Sequence, residues 1–172
     1  MYVIGITGGV GAGKSAVLSI LSECVECEII RADDVANRLK LKGQPCFQKI
    51  VDLLGEQILG SDGEIDRSLM SMIVFEDDAK MKQVEQILHP QVKRYITETI
   101  EQKKREGKIK YLFIEAALLI EDGYRQICDE FWYIYASVAT RTKRLMANRG
   151  YTLQKIESIM DKQLSEEEFL KN

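Results

Sequence analysis

Basic charge is not in excess in this 172-residue chain: 24 Lys and Arg stand against 27 Asp and Glu, a formal net charge of -3. That balance argues against nucleic acid or any other partner gripped by a broad basic face. No apolar run is long enough to span a bilayer, and residues 2–6 enter a strand pattern with no signal-peptide layout ahead of it. The expectation is a cytoplasmic protein without membrane attachment, and no obligate protein partner is evident. Histidine occurs once, at His89, and cysteine four times, at Cys24, Cys27, Cys46 and Cys128. The C-x-x-C spacing of the first pair has no second pair to complete a zinc site, so these thiols read as small hydrophobes kept reduced. Repeats, low-complexity tracts and linkers are missing too, which leaves one domain with room for a proper core and a small inserted lobe.

What the chain has is Gly8-Gly9-Val10-Gly11-Ala12-Gly13-Lys14-Ser15, a complete phosphate-binding loop pattern. Residues 2–6 before it read as a buried strand, and residues 15–24 after it as a helix with Val17, Leu18, Ile20 and Leu21 at helical spacing. Glycines let the backbone turn its N–H groups onto phosphate oxygens, and the positive end of the next helix strengthens that anion site. Lys14 supplies a point charge for the β- and γ-phosphates of ATP, and the Ser15 hydroxyl can ligate the Mg2+ that bridges them. A ligand-free glycine turn is the competing reading, and the flanking strand and helix argue against it.

Further strands are expected at residues 28–30, 111–114 and 131–136. Helices are expected at 46–59, 67–75, 81–100, 141–148 and 152–163, the last two joined at Arg149-Gly150-Tyr151. The charged run 101–105 reads as a solvated helix end. Alternating strands and helices opened by this loop imply a parallel sheet with ligand at the carboxyl ends of the strands. Asp33 and Glu115 each close a strand. Asp33 is placed to take a proton from an attacking hydroxyl, or else caps a helix starting at Asp34 or Val35. Glu115 either faces magnesium through water or is a plain strand-end acid. Arg141, Lys143, Arg144 and Arg149 cluster in an acidic chain, and Arg141 and Arg144 share a helix face. They form either a lid over ATP phosphates or a solvated basic face.

Thr7–Ser15 TGGVGAGKS, Arg31–Ala36 RADDVA, Gly63–Arg67 GEIDR, Leu88–Pro90 LHP, Leu118–Glu121 LLIE and Arg144–Met146 RLM stand in an order that resembles the dephospho-coenzyme A kinase family across essentially the whole chain. Thr7 to Ser15 reads TGGVGAGKS, against the family's T-G-G-(I/V)-G-(S/A)-G-K-S. Arg31-Ala32-Asp33-Asp34-Val35-Ala36 stands for D-A-D-x-(I/V)-A, and Gly63-Glu64-Ile65-Asp66-Arg67 for G-x-(I/L)-(D/N)-R. Val74-Phe75, Leu88-His89-Pro90, Leu118-Leu119-Ile120-Glu121 and Arg144-Leu145-Met146 follow in order. The resemblance implies transfer of the ATP γ-phosphoryl group to the ribose 3'-hydroxyl of dephospho-coenzyme A. It also implies an α/β P-loop kinase fold: a core at 1–34 and 108–140 with a parallel sheet flanked by helices, a helical substrate lobe at 35–107, and a helical lid at 141–163. Lys14, Asp33 and Arg144 become the catalytic candidates, and Ala16 and Arg141 join the loop and Arg144 as ATP contacts. Thr7, Asp33, Arg67, His89, Pro90, Leu118 and Glu121 become candidates for substrate binding, while Ser15, Asp33 and Glu115 are candidates for magnesium. His89 stays open between substrate contact and structural residue, with Pro90 expected to shape a turn beside it.

Arg31 replaces the first acid of D-A-D, Ala117 a usual proline, Ala16 a frequent threonine, and Arg141 a usual glutamine. The family pattern continues after position 163 to one more strand and an adenine-holding loop, so a C-terminal strand is expected to be missing here and a truncated sequence is the expectation. Two rivals stay in view. One is a different P-loop nucleoside or nucleotide kinase; the other is a nucleotide-binding switch, although the N-K-x-D guanine motif of GTPases is lacking.

Overall fold

A computed structural model describes residues 1–116, 119, 123–161 and 163–171. Strand β1 (Tyr2–Thr7) is buried along all but its first residue, as befits a central parallel strand covered on both faces. Around it lie β2 (Cys27–Arg31), β3 (Tyr111–Glu115) and β4 (Glu130–Tyr133), in the order β2-β3-β1-β4. Register pairs β1 in parallel with β3, Ile6 against Glu115, and with β4, Thr7 against Tyr133. The expected four-stranded parallel sheet flanked by helices is therefore what forms. Because β1 has neighbours on both sides, the sheet edges are β2 and β4.

The chain divides into two compact units, Met1–Ile30 with Lys103–Asn172, and Arg31–Gln102. The first holds the sheet. Helix α1 (Lys14–Cys24) lays Leu18 on Ile4, Ile6 and Phe113, with Leu21, Val25, Ile29 and Ile134 packed around them. Full burial of each of Leu18, Ile4, Ile6 and Phe113 is worth about 1.5–3 kcal/mol, and the partly buried side chains around them contribute less. Helices α6 (Val138–Arg149) and α7 (Leu153–Met160) are joined through Gly150, whose φ of 62° stops α6 at the expected place. The short α8 (Glu166–Leu170) starts with a reciprocal capping box between Ser165 and Glu168.

The second unit is helical. It contains α2 (Ala32–Leu39), α3 (Phe47–Leu54), α4 (Arg67–Phe75) and most of α5 (Asp78–Glu106). Ile50, Leu54, Ile58, Val84, Val92, Ile96 and Ile100 supply buried apolar surface. Asp66 caps α4 by accepting the N–H groups of Ser68 and Leu69. The charged run 101–105 is the last part of α5, where Lys103 bonds Glu28 at 2.6 Å and its cations complement the helix dipole.

Several boundaries move. The helix expected over 46–59 stops at Leu54, because Gly55 turns the chain at φ 87°, ψ 162°, and Glu56–Ile58 continues as a 3-10 turn. The fourth strand ends at Tyr133 and the last expected long helix at Met160. Pro90 lies inside α5 and not in a shaped turn; the apolar spacing on either side of it carries the helix through. Asp33 is not a helix cap. That position falls to Arg31, and Asp33 and Asp34 occupy the first turn of α2, where carboxylates meet the positive helix end.

Candidate active site

The loop after β1 is held from outside at nearly every carbonyl. Lys14 Nζ donates to Gly8 O at 2.7 Å, and Arg141 Nε to Val10 O at 2.9 Å. Arg144 donates from one guanidinium nitrogen to Gly11 O at 3.3 Å and Ala12 O at 2.9 Å. Within the loop, Ala12 N–H closes a turn onto Gly9 O at 3.1 Å. Carbonyls fixed this way turn the N–H groups that lead into α1 toward a shared anion position, the geometry of a backbone nest. One glycine is sterically required: at Gly8, φ is 140° and an added Cβ would sit 2.4 Å from Ile134 O, whereas at Gly9 the near neighbour is the Arg141 guanidinium at 2.4 Å, the movable end of a flexible side chain.

Beside the loop is a cleft of about 670 Å³, within the usual range for small-molecule sites. Residues 10–17 line one wall, and Glu115, Ile134, Tyr135, Arg144, Asn148 and Arg149 line the rest. Strand register explains Glu115, which lies level with Ile6 at the carboxyl edge of the sheet. Ala16 lines the cleft; Thr7 is buried at the end of β1 and its carbonyl accepts the Ile134 N–H at 2.8 Å. Ser15, the second residue of α1, and Glu115 present oxygen donors to this cleft. No cluster of three or more His, Cys, Asp or Glu suited to a metal occurs among the described residues. Two oxygens of this kind fit a magnesium ion that takes its other ligands from phosphates and water, and do not make a cage.

Arg141 does not line the cleft; its guanidinium faces Val10 and, at 3.1 Å, Gln163 Oε1. Gln163 also accepts the Val10 N–H at 3.0 Å, and sequence reading missed it because nothing local marks a glutamine past a helix end. Arg149 and Asn148 were visible in principle, the first in the cation cluster and the second four positions after Arg144 on the same helix face.

The remaining candidates lie in the helical unit. Asp33 and Arg67 are exposed, at the starts of α2 and α4, while His89 is half-buried and Pro90 exposed on α5. Lys40, unnoticed in the sequence, belongs with two of them. Burial first and then Arg67 push its ammonium below the usual lysine range, and Asp33 pulls the other way, so the three share one charge neighbourhood. Leu118 and Glu121 lie outside the described residues.

Comparison with known proteins gives the family of the chain. The dephospho-CoA kinase family model, CoaE, matches residues 2–172. A dephospho-CoA kinase of Carboxydothermus hydrogenoformans is 37% identical over 150 residues, covering 87% of this chain and 72% of that one. The chain belongs to the dephospho-CoA kinase family. A further family member from Geobacter sulfurreducens is 35% identical over 98% of this chain and 84% of its own. Among solved structures, a Thermus thermophilus protein superposes with a TM-score of 0.82 at 27% identity, covering 99% of this chain and 84% of that one. The dephospho-CoA kinase of Campylobacter jejuni gives 0.69 at 25% identity, covering 98% and 83%. Dephospho-CoA kinases catalyse the last step of coenzyme A biosynthesis, with ATP as the phosphoryl donor.

Proposed function

We propose that this chain transfers the γ-phosphoryl group of ATP to the ribose 3'-hydroxyl of dephospho-coenzyme A. The observation that carries the reading is the braced phosphate loop on a cleft of kinase-site size, in a chain matched to this kinase family from residue 2 to residue 172. The ATP phosphates lie on the loop N–H groups, and Lys14 exchanges its Gly8 carbonyl for a phosphoryl oxygen. Asp33 accepts the proton of the 3'-hydroxyl as its oxygen bonds to the γ-phosphorus and the bond to the β-phosphate bridging oxygen breaks, releasing ADP. Arg144 turns from the loop carbonyls to the phosphates as the lid closes, with Arg149 on the same wall. Arg67 and His89 belong to the acceptor side. Ser15, with Glu115 through water, would hold magnesium, which neutralises charge on the β- and γ-phosphates when bound. Four free cysteines fit a reducing, cytoplasmic setting.

The test is ADP release by the wild-type protein with dephospho-coenzyme A, compared with nucleosides and with no acceptor. Release that depends on dephospho-coenzyme A, and its loss in Lys14→Ala with the fold retained by circular dichroism, is the expected result. Release that follows a nucleoside would reassign the acceptor, and slow release indifferent to any acceptor would point to a nucleotide switch.

A further inference from the structure

The segment that follows α7 reaches back across 153 positions of sequence to touch the phosphate loop. There the amide oxygen of Gln163 accepts two donors, the Val10 N–H at 3.0 Å and an Arg141 guanidinium N–H at 3.1 Å. Arg141 Nε completes a ring by donating to Val10 O at 2.9 Å. The N–H of Val10 belongs to the peptide plane shared with Gly9, and its carbonyl to the plane shared with Gly11. One glutamine oxygen and one guanidinium therefore fix two successive planes. Stiffness here must come from outside, because the residues on either side of Val10 are glycines and resist rotation least.

We propose that Gln163 is a positioning residue for ATP binding. It sets the tilt of the loop through Val10 and Arg141, so that the N–H groups after Val10 converge on the phosphates without reorganising. An amide oxygen is well suited to this role because it has two lone pairs, satisfies one neutral and one charged donor together, and brings no negative charge toward the phosphates. A hydrocarbon of the same length would leave the Val10 N–H and one guanidinium N–H unpaired and the plane between Gly9 and Val10 free to turn.

This inference rests on the reading of the loop as the ATP site, so the experiment measures ATP binding alone, by calorimetric titration without acceptor. Gln163→Met is expected to raise the Kd for ATP about tenfold, the scale of one net hydrogen bond, since both bonds exist before ATP binds and only the lost loop orientation weakens binding. The thermal midpoint without ligand should stay close to wild type, as should KM for dephospho-coenzyme A. Gln163→Glu, which keeps an acceptor oxygen but brings a negative charge toward the phosphates, should recover only part of the affinity and still bind ATP more tightly than Gln163→Met. If Gln163→Met folds poorly, Gln163→Glu is compared with Gln163→Lys, of similar reach but with no acceptor, and the lysine variant should bind ATP more weakly. Equal ATP affinity in wild type and the variants lacking an acceptor would overturn the role of Gln163 while leaving the kinase reading intact. So would a lowered thermal midpoint with unchanged ATP affinity, the mark of a merely structural contact. Wild-type protein that fails to bind ATP would overturn both.

Discussion

At the scale of single residues, steric room and proton chemistry make separable demands. Gly8→Ala places a methyl group 2.4 Å from the Ile134 carbonyl oxygen at a φ of 140°, so the loop or the start of the segment after β4 has to move. We expect a destabilisation of roughly 2–4 kcal/mol in urea unfolding together with loss of ATP binding, since strain and clash add; a variant with wild-type stability would show the loop relaxes freely. Asp33→Asn tests the other demand. Asp33 is exposed in the first turn of α2, so its amide should fold normally. Because the amide cannot accept the acceptor's proton, kcat should fall by roughly a hundredfold or more. Normal turnover at saturation with a raised KM would make Asp33 a binding residue instead.

At the scale of elements, two helices carry instructive exceptions to local rules. Helix α5 runs 29 residues with Pro90 inside it, where proline lacks a backbone donor and costs up to about 3 kcal/mol relative to alanine. Pro90→Ala is therefore expected to raise the thermal midpoint; an unchanged or lower midpoint would mean that the packing of Val84, Val92 and Ile96 needs the helix as proline shapes it. Helix α6 carries its cations in unequal settings. Arg144 spans two loop carbonyls from one nitrogen, whereas Arg149 lies on the cleft wall with its guanidinium 6.0 Å from the Tyr151 ring. On closure over the phosphates a guanidinium offers a planar fork that lysine cannot reproduce, so Arg144→Lys should cost clearly more phosphoryl transfer at saturating ATP than Arg149→Lys. Equal small losses would reduce the cluster to a solvated helix face and remove the lid.

For the whole molecule, the titrating groups combine into a pH dependence with a definite sign. Burial, with Asp129 adding to it, pushes the Cys128 thiol up to about 12. Burial also raises Cys27 and Cys46, and raises Tyr133 with help from Glu166. The hydrogen bond to Glu28 raises Lys103. In each case the unfolded chain releases its proton first as pH rises, so the stabilisation is whole below about pH 9 and drains away above it. Lys40 opposes this, since its lowered folded value makes stability climb over the range just below the ordinary lysine value. The large upward shift of Cys128 outweighs the smaller opposite shift of Lys40, so the urea midpoint should drop between about pH 9 and 11 and drop less in Cys128→Ala. A midpoint that holds constant across that range would contradict the burial of these thiols.

Local sequence was enough for the parts of this protein that depend on local chemistry. The loop glycines, Lys14 and Ser15 sit between a period-free apolar strand and an amphipathic helix, and that succession of patterns specifies strand, nest and helix by itself. Four strands and the stop at Gly150 were legible for the same reason, and the motif order disclosed the family. Tertiary structure decided everything that depends on which distant groups meet. Gln163 reaches Val10, and Arg141 turns to the outside of the loop while Arg144 lines the cleft, each through contacts between separate elements that no periodicity encodes, and the charges of Arg67 and Asp33 act on Lys40 across the helical unit. Pro90 marks the same limit from the other side: its own preference is to interrupt a helix, and the apolar burial of α5 on both sides of it outweighs that preference.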